Sequence, residues 1–121
     1  MTFNLHSLAA EDFCYLTTAG RISGRPHTIE IWFSLDGRTL YMLSGGRDKA
    51  DWVRNIVRSP QVRVRVGETL FDGLARVVEA YEEEDARARK LVTDKYTPRT
   101  SDDLSDWSRI SLPVAVKLLN P

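Results

Sequence analysis

The order of elements along the chain predicts an antiparallel β-barrel with peripheral helices. Three observations carry this reading: six runs with strand character, hairpin turns joining most of them, and helical stretches confined to one insertion after the third strand and one segment before the last. A parallel sheet would alternate strand and helix throughout, and this chain does not.

Phe13 to Ala19 is short, rich in β-branched and aromatic residues, and ends at Gly20, which marks a first strand. From Thr28 to Leu35 the alternation is complete: Ile29, Ile31, Phe33 and Leu35 share one face and Thr28, Glu30, Trp32 and Ser34 the other, as in a half-buried strand. Asp36-Gly37 is a hairpin signal, and Thr39 to Ser44 returns as a third strand that Gly45-Gly46 breaks.

Asp48 is placed to cap a helix, with Asp51 three residues on and Trp52, Val53, Ile56 and Val57 as its apolar stripe, and Ser59-Pro60 closes it. Gln61 to Val66 alternates with Val62, Val64 and Val66 on one side and Arg63 and Arg65 on the other. After Gly67-Glu68 a strand runs from Thr69 to Val78, giving a second hairpin. Glu82 to Tyr96 begins acidic and becomes basic, the charge order that a helix macrodipole favours. Pro98 ends it, Asp102 to Arg109 forms a short helix, and Pro113 to Leu119 is the sixth strand.

The 121 residues fit one domain, 1–121, with a single core. Lysine plus arginine equal aspartate plus glutamate at 17 each, so there is no global field to hold a nucleic-acid backbone or an anionic membrane. The lone cysteine, Cys14, excludes an internal disulfide and reads as a buried strand residue in a reducing compartment. No apolar run approaches the roughly 20 residues that span a bilayer. The start Met1-Thr2-Phe3-Asn4-Leu5 carries no targeting pattern, so a cytoplasmic protein is expected.

Any anion site must therefore be local, and two glycine-bearing basic loops offer one. In the first, Gly20 and Gly24 permit a tight reversal with close approach to a ligand. Arg21, Ser23 and Arg25 supply donors for phosphate or carboxylate oxygens, with His27 at the loop's end. The second runs from Ser44 through Gly45, Gly46 and Arg47 to Lys49 and leads into a helix start whose free N–H groups suit an anion. Both loops equally suit solvated turns. No nucleotide-binding glycine loop, Cys-x-x-Cys or His-Glu-x-x-His is present, and His6 and His27 lack ligand-spaced partners, so no metal is expected.

The run Thr17-Thr18-Ala19-Gly20-Arg21-Ile22-Ser23-Gly24-Arg25-Pro26, followed by Asp36-Gly37, Ser44-Gly45-Gly46, Trp52-Val53-Arg54-Asn55-Ile56 and Ser59-Pro60-Gln61-Val62-Arg63-Val64, resembles the deazaflavin-dependent nitroreductase and quinone-reductase family. That family lies within the FMN-binding split-barrel group that includes pyridoxamine 5'-phosphate oxidases. The resemblance implies a mainly β, six-stranded split barrel that dimerises and holds the deazaflavin coenzyme F420 in a groove. It makes Arg21, Ser23, Gly24 and Arg25, with His27, the phosphate-holding turn. Ser44, Gly45 and Gly46, with Arg47 and Lys49, become the loop along the cofactor, and Trp52 and Asn55 the helix positions of the site.

The activity implied is hydride transfer from the reduced cofactor to a small electrophilic acceptor such as a quinone, an enone or a nitroaromatic. Ser44 and Tyr96 are the side chains expected to donate the following proton or orient the acceptor, with Trp107 as a pocket wall. Two departures from the family pattern bear on the cofactor: Ile22 stands where a basic residue is common, and Ala50-Asp51 where proline often precedes the tryptophan. An FMN-dependent oxidoreductase of the same fold and a non-catalytic flavin- or haem-binding module are the alternatives. Trp32, on the polar phase of its strand, is the aromatic expected to support a homodimer.

Overall fold

Two residues, Trp32 and Phe33, determine the shape of the molecule. A computed structural model describes residues 5–120, and the first four residues read above lie outside them. After a short helix α1 (Leu5–Leu8), the strands are β1 (Cys14–Ala19), β2 (Pro26–Ile31), β3 (Ser34–Asp36), β4 (Thr39–Ser44), β5 (Gln61–Val66), β6 (Thr69–Val77) and β7 (Leu112–Leu118). They form one seven-stranded sheet in the order β2-β1-β5-β6-β7-β4-β3. Every neighbouring pair is antiparallel.

Strands β2 and β3 thus occupy opposite edges of the sheet although only Trp32 and Phe33 separate them. Three residues of extended chain reach about 11 Å at most, so the sheet has to curl until its edges lie side by side. The result is a mainly β barrel, split at this step. The continuous strand expected over Thr28 to Leu35 is therefore two strands, and the count is seven rather than six. Period-two alternation survives the crossing because Phe33 still points inward and Trp32 outward. The backbone of Phe33 pairs with side chains instead of a neighbouring strand: its N–H donates to the Tyr96 hydroxyl at 3.0 Å and its carbonyl accepts from Lys95 Nζ at 3.0 Å.

Inside the barrel, Cys14, Leu16, Leu40, Met42, Val62, Val64, Val66, Phe71, Val114 and Val116 pack together. Helix α2 (Asp51–Arg58) adds Val53 and Ile56 to that core. Burial pushes the Cys14 thiol up to about 12, so it is an inert core residue. Gly73 is small by necessity, since a Cβ there would come within 2.5 Å of Val116 Cγ1.

The outward residues of β4, Tyr41 and Leu43, are buried as well, because α3 (Glu83–Tyr96) covers them with Ala88, Val92 and Tyr96. This explains the unbroken apolar run of β4. Glu84 fastens the start of α3 to the sheet, accepting from the Tyr41 hydroxyl at 2.7 Å and from both terminal nitrogens of Arg76 at 2.7 Å. Helix α4 (Ser105–Ile110) follows, and Arg89 of α3 donates to the carbonyls of Ser108, Arg109 and Ser111 at its C-terminal end.

Candidate functional site

The turn between β1 and β2 closes on itself. Gly24 N–H donates to Gly20 O and Gly20 N–H to Arg25 O, both at 2.8 Å, and Arg25 N–H donates to Ser23 Oγ at 3.1 Å. Gly24 has φ 76°, which a glycine adopts without strain. Gly20 is required for space: a Cβ there would meet His27 Nε2 at 2.8 Å. The imidazole thus lies against the turn rather than facing away from it.

Helix α2 meets this turn through Asn55, which is 4 % exposed. Its Oδ1 accepts from the Arg21 N–H at 3.2 Å and from Arg21 Nη1 at 3.0 Å, while its Nδ2 donates to Thr18 Oγ1 at 3.0 Å. Arg21 Nη2 also contacts Asp51 Oδ1 at 3.1 Å. The guanidinium is held in place, and the Asp51 carboxylate at the mouth of the groove is balanced by it. Between turn and helix lies a groove of about 440 Å³, walled by Arg21, Ser23, His27, Trp52, Asn55 and Thr28 among others.

Of the expected binding residues, Arg21, Ser23, His27, Trp52 and Asn55 line this one groove. Gly24 and Arg25 belong to the same turn and stand exposed, and the Arg25 guanidinium has no partner among the described residues. The second loop goes elsewhere. Gly45 faces Trp107, whose Nε1 lies 3.5 Å from where a Cβ would stand, and the Arg47 guanidinium donates to the Ile110 carbonyl of α4. Lys49 is exposed beside them. The two basic loops therefore do not line a common groove in the chain.

Asp48, expected to cap the helix, lies instead in a 3-10 turn over Arg47–Lys49, and α2 begins at Asp51 with Ala50 as an uncapped N-cap. Arg47 has φ 55°, a left-handed conformation costing a non-glycine residue about 1–2 kcal/mol. The Ser44 hydroxyl, donating to Arg47 O at 3.0 Å, and the Ile110 contact hold it there.

Ser44 is 2 % exposed and occupied with that bond. The Tyr96 hydroxyl is buried too, donating to Asp12 O at 2.7 Å and accepting from Phe33 N–H, and burial pushes it up to about 12. Its ring stacks on Trp32 with centroids 4.2 Å apart, and Trp107 meets Trp32 edge-on at 5.6 Å. Trp32, the aromatic expected to support a homodimer, is half-buried, with both of these rings against it within the chain. Among the described residues no group of acids, histidines or cysteines could hold a metal, and no helix is long and apolar enough to cross a membrane.

The donor set of the groove suits a flavin-like cofactor with an anionic tail. A fixed guanidinium, a hydroxyl, an imidazole and the free Arg25 cation sit at one turn, with an indole on the facing helix. A family model described as F420H(2)-dependent quinone reductase matches residues 4–118. Among solved structures, the chain is similar to an F420-H2 dependent reductase (24% identity, 89% of this chain and 94% of that one, TM-score 0.66). It is also similar to the heme storage protein HutZ from Vibrio cholerae (15%, 97% and 89%, TM-score 0.77). A third similar structure is a FAD-binding protein from Mesorhizobium loti (15%, 93% and 83%, TM-score 0.70). At these identities the likeness to the solved structures is one of fold.

Proposed function

The chain belongs to the F420H(2)-dependent quinone reductase family, and from that premise we propose that the groove between the β1–β2 turn and α2 is where this oxidoreductase holds its deazaflavin. The observation that carries the reading is the Arg21–Asn55 fastening. It sets a cation and the turn's donors against Trp52 before any ligand arrives, so little ordering cost remains at binding. Arg21, Ser23 and Arg25 take the anionic tail, His27 and Thr28 line the groove's strand side, and Trp52 flanks the planar part. Bound there, the reduced cofactor supplies a hydride to a small electrophilic acceptor.

The acceptor class we assign is a quinone, an enone or a nitroaromatic. With the hydroxyls of Ser44 and Tyr96 engaged in scaffold bonds, solvent water is the proton source we assign. The reading treats 1–121 as one domain, cytoplasmic, and paired as a homodimer through the sheet face on which Leu70 and Leu74 stand exposed.

A second reading, FMN in the same groove, is favoured by one observation: only the first basic loop reaches the groove, enough for a short phosphate but leaving Arg47 and Lys49 outside it. Fluorescence titration with the deazaflavin coenzyme beside FMN separates the two. Tighter deazaflavin binding, weakened at least tenfold by Arg21→Ala or Arg25→Ala, is expected. Preference for FMN would move the assignment to the second reading, and binding of neither would leave only the fold.

A further inference from the structure

Of the four lysines in the chain, one sits in surroundings unlike those of the others. Lys49 and Lys117 stand exposed, and Lys90 pairs with Asp94 at 2.7 Å. Lys95, near the end of α3, is half-buried and has no carboxylate partner among the described residues. Its Nζ donates to Phe33 O at 3.0 Å, lies 3.6 Å over the centre of the Phe33 ring and is 5.1 Å from the centre of the Tyr96 ring. One carbonyl and two aromatic rings solvate an ammonium less well than water or a carboxylate does.

The charged groups around it do little to hold its proton. Arg99, in the single turn after α3 (Thr97–Arg99), brings a second cation to the same Tyr96 ring, with its guanidinium carbon 5.8 Å from the ring centre. Glu11 and Asp12 approach from the segment before β1, but the Asp12 carboxylate is taken by Arg99 Nη1. The Cys14 thiol of β1 is buried and stays protonated. Burial first, and Arg99 after it, bring the Lys95 ammonium down to about 8, so a sizeable minority of the side chain is neutral amine near pH 7. A desolvated lysine of this kind is a nucleophile, and its side chain is partly open to solvent.

The same cluster has a place for an anionic leaving group. Arg99 Nη1 is occupied by Ala10 O and Asp12, while its Nε and Nη2 have no bond among the described residues. A phosphate reaching those nitrogens stands beside the Lys95 amine.

We infer that Lys95 is a modification site for small acyl phosphates, with Arg99 receiving the departing phosphate, and that acylation there loosens the β2–β3 crossover. The inference is independent of the groove assigned to the deazaflavin. In the step, the neutral Nζ forms a bond to the acyl carbon and the bond from that carbon to the phosphate oxygen breaks. Inorganic phosphate leaves with the bonding electrons, the nitrogen's proton passes to solvent, and an uncharged amide remains. An acyl group has no room between the nitrogen and a ring 3.6 Å away, so the modified side chain swings out and Phe33 O loses its charged donor.

The test is brief treatment of the whole chain with acetyl phosphate across a pH series, read by peptide mass mapping of each lysine. At pH 7.5 Lys95 is expected to be acetylated at least fivefold faster than Lys49, Lys90 or Lys117, with a rate that rises with pH and levels off once pH passes about 8. 4-Nitrophenyl acetate supplies the same acyl group without a phosphate, and Arg99→Gln should slow the acetyl phosphate reaction at least threefold more than the reaction with this ester. The acetylated chain should unfold at lower urea than the untreated one, while Lys95→Arg, which keeps the cation, shows no shift after the same treatment. A Lys95 rate no greater than that of the exposed lysines, equal slowing of both donors in Arg99→Gln, or an unfolding midpoint unmoved by Lys95 acetylation would each overturn the proposal. The ranking of the four lysines in the unsubstituted chain decides it even where Arg99→Gln fails to fold.

Discussion

The carboxamide oxygen of Asn55 accepts two hydrogen bonds from Arg21, one from its backbone N–H at 3.2 Å and one from its guanidinium at 3.0 Å. One helical side chain thereby fixes both the path of the β1–β2 turn and the direction of its arginine. Its Nδ2 donates to Thr18 Oγ1, so the carboxamide is bonded at both its oxygen and its nitrogen although buried.

Replacing Asn55 with alanine would remove these bonds together and leave the Arg21 N–H and the Thr18 hydroxyl to find other partners. The expected loss of stability is about 1–3 kcal/mol, the range for unsatisfied buried polar groups, measured by urea unfolding. Deazaflavin affinity should fall as well, because the turn must then be ordered at the moment of binding. Asn55→Asp keeps an acceptor for Arg21 but loses the donor to Thr18, so it should recover part of the loss. Full stability and full affinity in Asn55→Ala would show that turn and helix hold their places without it.

Asp51 works against an anion in the same groove. Its carboxylate pairs with Arg21 at 3.1 Å while remaining largely exposed, and a phosphate arriving at Arg21 has to compete with it. Exposed ion pairs are worth about 0.2–1 kcal/mol, so Asp51→Asn should tighten deazaflavin binding by about two- to fivefold. The gain should shrink as salt is raised, since the repulsion removed is screened. A weaker complex would mean that the carboxylate's role is to orient the arginine rather than to compete with its ligand.

Much of the barrel is legible in the sequence because its strands obey one rule each. Residues Gln61 to Val66 alternate, β4 is apolar on both faces because α3 covers its outer one, and Trp52 and Asn55, site positions that the family resemblance implied, both line the groove. What could not be read are the places where tertiary contacts choose between equal local options. Alternation through Trp32 and Phe33 hides a strand break, because inward and outward phase is kept while the hydrogen-bond partners change. The composition of Ser44 to Lys49 suits an anion loop, yet Arg47 is taken by a carbonyl of α4, sixty-three residues further on. The cavity lined by Phe13, Trp32 and Trp107 is legible only at Trp107, expected as a pocket wall, because its walls come from four separate stretches with no shared motif.

Tyr96 provides a clean separation between scaffold and chemistry. Its hydroxyl bridges Phe33 N–H and Asp12 O, so Tyr96→Phe leaves the crossover's amide without its acceptor. A loss of about 1–3 kcal/mol is expected. Turnover per folded molecule with a quinone acceptor should stay within about twofold of the unsubstituted enzyme, less than the 10²–10⁴-fold that a general acid contributes. A loss of that size in protein shown to be folded would return the hydroxyl to the reaction.

Glu84 makes stability depend on acidity in a stated window. The side chain of Arg76, bonded to both its oxygens, and the Tyr41 hydroxyl hold its carboxyl at about 2, below its ordinary value of 4.5. A carboxyl whose folded value is depressed binds its proton more readily in the unfolded chain, so stability rises with pH between the two values. The contribution is complete above about pH 5 and is lost as pH falls toward 2. Glu84→Gln should lower stability at pH 7 by about 1 kcal/mol, since Arg76 is half exposed and part of its interaction is screened. The difference between the variant and the unsubstituted protein should then close progressively from pH 5 to pH 3 in urea unfolding. A difference that stays constant across that range would locate the effect in packing of α3 against β4 instead of in charge.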